Sequence, residues 1–261
     1  MKEKFQKALN IVNRFVQSDY FILFSAVIIL IGWCFNIWAP MLAVLALVAI
    51  LPLFFAKGTK QILCVVMMFT LIISSNRHRL DDYAWLLSLV VVLLAGALFN
   101  LIRFKRSLSL LSPTKIKGFH CSVIALAIPF ALGGAGSPTE KPLAILAAFA
   151  LILVAGVSYS FFVVTQDEQD RKGMAEYILK VLFAMGVVIC AQMIVYFSSF
   201  DSKQDVLNAI ISKNIALGWA GPNNVAPVLS MTVPATLYFC IKKNKATPLF
   251  AIMATLEYIF I

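Results

Sequence analysis

Residues 20–56 read YFILFSAVIILIGWCFNIWAPMLAVLALVAILPLFFA, without one charged side chain. As a single helix rising about 1.5 Å per residue, this run would far exceed a bilayer hydrocarbon core of about 30 Å. Asn36 to Pro40 is its natural break, because Asn and Pro punctuate helices. The stretch therefore predicts two short spans, at 20–37 and 40–56, joined by a tight outer turn. Trp33 and Trp38 would sit at that outer membrane–water interface.

Composition agrees with a chain built this way throughout. It is 61% hydrophobic and 13% charged, with a mean hydropathy of +0.91. A soluble domain sits nearer half apolar and a quarter charged. Long unbroken apolar runs favour helices over the alternating strands of a barrel. The fold class predicted is all-α, a polytopic helical membrane protein in a cell (inner or plasma) membrane.

Working outward from 20–56, residues 1–19 form a polar, basic lead-in. Its apolar positions Phe5, Ala8, Leu9, Val12, Phe15 and Val16 suit an amphipathic helix on the inner surface. A solvated lead-in is the plain alternative. Downstream, apolar runs predict spans near 61–75, 83–102, 119–136, 142–164, 177–198 and 225–241, and a last, incomplete one from about 247. The transmembrane domain is thus 20–261, with about nine crossings and the N-terminus inside. The longest outer loop is 199–224, and within it Val206, Leu207, Ile210, Ile211 and Ile215 approach helical spacing.

Charge supports that orientation. Of 22 Lys and Arg, only Arg77, Arg79, Lys141, Lys203 and Lys213 fall in outer segments. The net charge of +10 is thereby explained as topology, and a nucleic-acid partner is not predicted. The five Cys lie in or at the ends of apolar runs and form no Cys-x-x-Cys pair, so they read as small buried hydrophobes. The two His are far apart, and neither a metal site nor a cofactor is predicted. No cleavable signal peptide is legible at the N-terminus. P-loop, Rossmann, His-Glu-x-x-His and Gly-x-Ser-x-Gly motifs are missing.

The outer face offers the candidate site. Residues 217–227 read LGWAGPNNVAP, a Gly/Pro/Asn-rich turn opening into the apolar run 228–241. Two Gly and a Pro shape the backbone, the Asn223–Asn224 pair suits a helix start, and Trp219 suits the interface. A capped helix start under an interfacial Trp is the plain reading. Arg77-His78-Arg79, beside Asp81 and Asp82, has guanidinium groups able to pair bidentately with a diphosphate, or it is simply a solvated loop.

The pattern Gly218-Trp219-x-x-x-Asn223-Asn224-x-Ala226, leading into an apolar helix containing Pro234, resembles the O-antigen ligase and polymerase family. The resemblance implies a metal-independent membrane glycosyltransferase of the C-type fold. It would move a glycan from undecaprenyl diphosphate to an acceptor sugar or surface acceptor on the outer face. Arginines would hold the diphosphate and a His or similar base would activate the acceptor. The substrate-binding candidates are Lys213, Gly218, Trp219, Asn223, Asn224, Arg77 and Arg79. The family often places an Arg before the turn; here Lys213 stands there, a point charge without a bidentate fork. The resemblance covers the first part of a family member. The large outer loop that usually comes next, and the catalytic base with it, is expected beyond residue 261, so the chain reads as an incomplete one. Other polysaccharide-assembly proteins are possible partners.

The rival from another class is a transporter or flippase of lipid-linked sugars, which would need a polar mid-membrane cavity. Asn100, Gln192 and Glu257 are the scattered candidates for it, and Glu257 is the only acid predicted well inside a span. A non-catalytic assembly subunit is the third reading.

Overall fold

The structure is a computed structural model that describes residues 2–56, 58–71, 86–104, 168–212, 215, 217, 222–242 and 246–261. The expected spans at 119–136 and 142–164, and the loop carrying Arg77 and Arg79, lie outside these residues. The described residues form helices and connecting turns, with no strand among them. The chain divides into two compact units, Met1–Asn100 with Gly173–Ile261, and Leu101–Lys172. Most of the described residues belong to the first unit.

Helix α1 (Lys2–Val16) opens on Lys2, Glu3, Lys4, Gln6, Lys7, Ala8 and Leu9, all good helix formers. It stops at Gln17–Ser18, where Ser18 adopts an extended conformation (φ −93°, ψ 164°) and its hydroxyl donates to the Phe15 carbonyl at 2.6 Å. Helix α2 (Asp19–Cys34) then starts with an acid in its first turn, matching the helix dipole. The two helices meet at 73°.

The break read from the sequence falls where α2 ends. Asn36 takes a left-handed conformation (φ 54°), which Asn tolerates better than most residues. The Ile37 amide returns to the Gly32 carbonyl at 2.9 Å and the Asn36 amide to Trp33 at 3.3 Å, a Schellman closure. Helix α3 (Trp38–Ile50) comes next, with Pro40 in its first turn where a missing amide costs no internal bond. Pro52 then tightens the chain into a 3₁₀ turn (Leu51–Phe54).

Helices α4 (Lys60–Phe69), α5 (Leu86–Arg103), α6 (Glu168–Ser198), α7 (Lys203–Ile211), α8 (Pro222–Ile241) and α9 (Thr247–Phe260) complete the described elements. Two boundaries differ from the sequence reading. The charged stretch expected as a loop at 165–176 is helical from Glu168, because Glu, Gln, Arg and Lys are themselves helix formers and Glu168 and Asp170 suit an N-terminal turn. Within 199–224, where the apolar spacing ran to Ile215, the described helix covers Lys203–Ile211. It begins where the Ser202 hydroxyl accepts from the Asp205 amide (3.1 Å) and donates to its carboxylate (2.7 Å).

Polar contacts gather at the two ends of the unit. At one end, Lys180 on α6 reaches Asp19 on α2 at 2.7 Å, and Lys242 after α8 reaches Glu176 on α6 at 3.1 Å. Gln17 donates to Gln61 on α4 at 2.6 Å, and the Lys60 ammonium lies 4.9 Å from the Tyr177 ring centre. At the other end, Gln192 on α6 donates to Leu71 at 3.2 Å, and the rings of Phe197 and Phe260 stack. Beside the first of these ends, Phe183, Phe239 and Phe250 of α6, α8 and α9 form an aromatic cluster with centroids 5.0–6.0 Å apart.

Helix exteriors are apolar as well as interiors. On α2, Phe21, Ile22, Ser25, Ala26, Ile29 and Gly32 are buried, while Tyr20, Leu23, Val27 and Ile31 form an exposed stripe on the other face. Val91, Leu94 and Leu98 repeat that spacing on α5. Among the described residues, one helix segment, Gly173–Ser198, is long and apolar enough to cross a membrane. The other apolar helices are shorter.

Candidate functional site

The stretch 217–227 follows α7 in the chain, and its last six residues, from Pro222, open α8. Leu217 is fully buried, and its carbonyl accepts a 2.7 Å hydrogen bond from the indole Nε1 of Trp33. A buried carbonyl needs a donor, and this one is supplied from the last turn of α2. The link fixes where the turn begins. The sequence placed Trp33 at the interface, but nothing local to Trp33 pointed to a partner 184 residues away.

Helix α8 starts at Pro222. Pro at the first helical position is favoured, since its fixed φ suits the helix and it lacks only an amide that would be orphaned anyway. Asn223 and Asn224 therefore occupy the second and third helical positions, just inside the capping position that the sequence reading gave them. Lys213, Gly218, Trp219, Arg77 and Arg79 lie outside the described residues. Helix α7 exposes Leu207, Ile210 and Ile211 in succession along one side.

The three polar side chains singled out for a mid-membrane cavity are all fully buried, and each has a local partner. Asn100 donates to the carbonyls of Leu53 and Ala56, both at 2.7 Å. It thereby satisfies oxygens that the 3₁₀ turn and its end leave without helical partners. Gln192 donates to the Leu71 carbonyl just past the end of α4. These two amides serve helix termini. Glu257 differs: its Oε1 accepts from the Thr236 hydroxyl at 3.0 Å, so it meets a side chain of a neighbouring helix.

At the opposite end, a cleft of about 250 Å³ is lined by Phe183, Phe239 and Phe250, with Glu176, Lys180 and Lys242 at its rim. The lysines there are already paired with Asp19 and Glu176. The hydrogen bond that Lys242 donates to the Glu176 carboxylate holds its ammonium above its ordinary pKa. Among the described residues the rim is thus charge-balanced. Among the described residues, no group of three His, Cys, Asp or Glu side chains is placed to hold a metal ion. Comparison with known proteins returned no matching family model, no matching curated protein and no matching solved structure.

Proposed function

We propose that the chain is a multi-spanning cell-membrane protein of surface polysaccharide biosynthesis. It transfers a polyprenyl-diphosphate-linked glycan to an acceptor sugar or surface acceptor on the outer face, as a polymerase or a ligase. The observation that carries the reading is the turn Gly218-Trp219-x-x-x-Asn223-Asn224-x-Ala226, which leads into α8.

Several contacts support the multi-spanning part. The two ends at which polar contacts gather are the ends that alternate crossings would bring together. Asp19, Lys180, Glu176 and Lys242 fall on the predicted inner side, and Trp33, Leu217 and Leu71 on the outer. The exposed stripes on α2 and α5 are apolar, which suits lipid; a helix facing water turns a polar face outward. Helix α1, at 73° to α2, has the direction of a helix lying along the inner surface, with Ile11 and Val12 exposed. Under this reading α7 lies along the outer leaflet beside the turn.

The flippase reading is weakened at Asn100 and Gln192, whose amide groups donate to backbone carbonyls. The direct test is reconstitution of the chain in liposomes with a polyprenyl-diphosphate oligosaccharide and an acceptor. A photoreactive polyprenyl diphosphate is used alongside. Transfer on the outer face with crosslinks in 199–224 supports the reading. Movement of the lipid-linked sugar without transfer replaces it with the flippase. Neither transfer nor crosslink removes both.

A further inference from the structure

Glu257 is the one acid among the buried polar residues of the described structure, and it is fully buried. Its surroundings are built around the carboxyl. Oε1 takes the Thr236 hydroxyl of α8. Gly186 of α6 faces it so closely that a Cβ at that position would collide with Oε1 and stand 3.0 Å from the Thr232 hydroxyl oxygen. The absence of a side chain at 186 is therefore what gives the carboxyl its place between α6, α8 and α9. Oε2 is buried and has no hydrogen-bond partner.

We propose that this cradle is an intramembrane proton-binding site, with the exchangeable proton carried on Oε2 of Glu257. A bare carboxylate in an apolar interior needs a counter-charge or several donors. Here the polar neighbours are the threonine hydroxyls of α8, Thr236 donating to Oε1 with Thr232 beside it; Oε2 has no donor, and among the described residues no cation pairs with Glu257. On α6 the titratable side chain in electrostatic reach is the Cys190 thiol, and α8 contributes the neutral hydroxyls of Thr232 and Thr236. None of these supplies positive charge, so neutrality must come from a bound ion. The Thr232 hydroxyl hydrogen is spent on the Leu229 carbonyl, so it gives Oε2 no donor. A proton needs only Oε2, and the competing occupant, an alkali cation held by the carboxylate and threonine oxygens, is distinguished by the sodium arm of the test below. Ionisable residues at membrane depth are rare and usually functional. The site does not depend on the glycan-transfer reading; it requires only that α6, α8 and α9 pack as described within the bilayer.

The test is labelling of the full chain in lipid vesicles with dicyclohexylcarbodiimide, an apolar reagent that adds to protonated carboxyls. The adduct is mapped by mass spectrometry. The expected result is an adduct on Glu257, lost in Glu257→Gln. Above the titration point the adduct should fall by about tenfold per pH unit, as the protonated fraction does. Sodium at constant pH should leave it unchanged. An unlabelled Glu257, or labelling independent of pH, overturns the proposal. Protection by sodium overturns it in favour of an alkali-cation site. Mapping on the unaltered chain gives the answer even if Glu257→Gln fails to fold. Failure of glycan transfer with a labelled Glu257 would count against the function proposed above and leave the proton site standing.

Discussion

The Trp33 indole donates to the Leu217 carbonyl at 2.7 Å, tying the last turn of α2 to the start of the 217–227 turn. Trp33→Phe keeps most of the ring and removes only the donor. It should cost about 1 kcal/mol, the usual net worth of one such bond, or somewhat more if the buried carbonyl stays unpaired. Thermal unfolding in detergent reads the stability. Protease cleavage within 212–221 reads the release of the turn, and should accelerate more than cleavage elsewhere. Equal acceleration at all sites would mean that the bond supports the whole bundle and not the turn.

Asn100 makes a sharper case, because one amide serves two carbonyls, Leu53 and Ala56. Asn100→Leu preserves approximate volume and strands both oxygens, at an expected loss of about 2–3 kcal/mol. Asn100→Asp should be no better, since a carboxylate cannot donate. An unchanged melting temperature in Asn100→Leu would show that other groups satisfy these carbonyls. This residue was one support for a polar transport cavity, so the same variant should leave any transport or transfer activity per folded molecule unaltered.

The legibility of each element in the sequence depends on what its signal encodes. The break at 36–40 was legible because Asn36 and Pro40 are local instructions, and the left-handed Asn36 obeys them. The start of α6 is not legible, because charge is a weak loop signal where Glu168-Gln-Asp-Arg-Lys itself has the propensity of a helix. The apolar faces of α2 were legible in kind, but apolar residues all round a helix do not say which face meets protein. Long-range pairs such as Trp33 with Leu217, or Gly186 with Glu257, leave no periodic trace. A glycine in mid-helix at 186, and one acid in an apolar run at 257, were the available hints, each without an address. Of the candidate site, the helix start at Asn223–Asn224 was legible to within a turn. Lys213, Gly218, Trp219, Arg77 and Arg79 fall outside the described residues.

Two glycines on α6 should respond to Ala with opposite signs. At Gly173 an added Cβ meets nothing within 4 Å, so Gly173→Ala should stabilise by about 0.5–1 kcal/mol through helix propensity alone. At Gly186 the Cβ collides with Glu257 Oε1, and Gly186→Ala should destabilise by about 1–3 kcal/mol, the range for overpacking a close-packed site. Denaturation of both variants under one set of conditions reads the difference. If both stabilise, the cradle around Glu257 is looser than its geometry implies.

Alternate crossings make a last prediction about sidedness. Cys34 is exposed at the end of α2 beside Trp33, and Ser199 is exposed just past the end of α6. Both belong to the end that holds Leu217 and Leu71. Lys242 belongs to the opposite end, with Glu176 and Asp19. In a background in which Cys34 is the sole thiol, a membrane-impermeant maleimide should label intact cells. Replacing Cys34 by Ala and installing Ser199→Cys should restore that labelling from outside. Lys242→Cys in the same background should react only after permeabilisation. Labelling of Cys34 and of the 242 thiol from the same side would break the alternation of α2 and α8. With it would go the placement of 217–227 on an outer face, where the proposed glycan transfer has to occur.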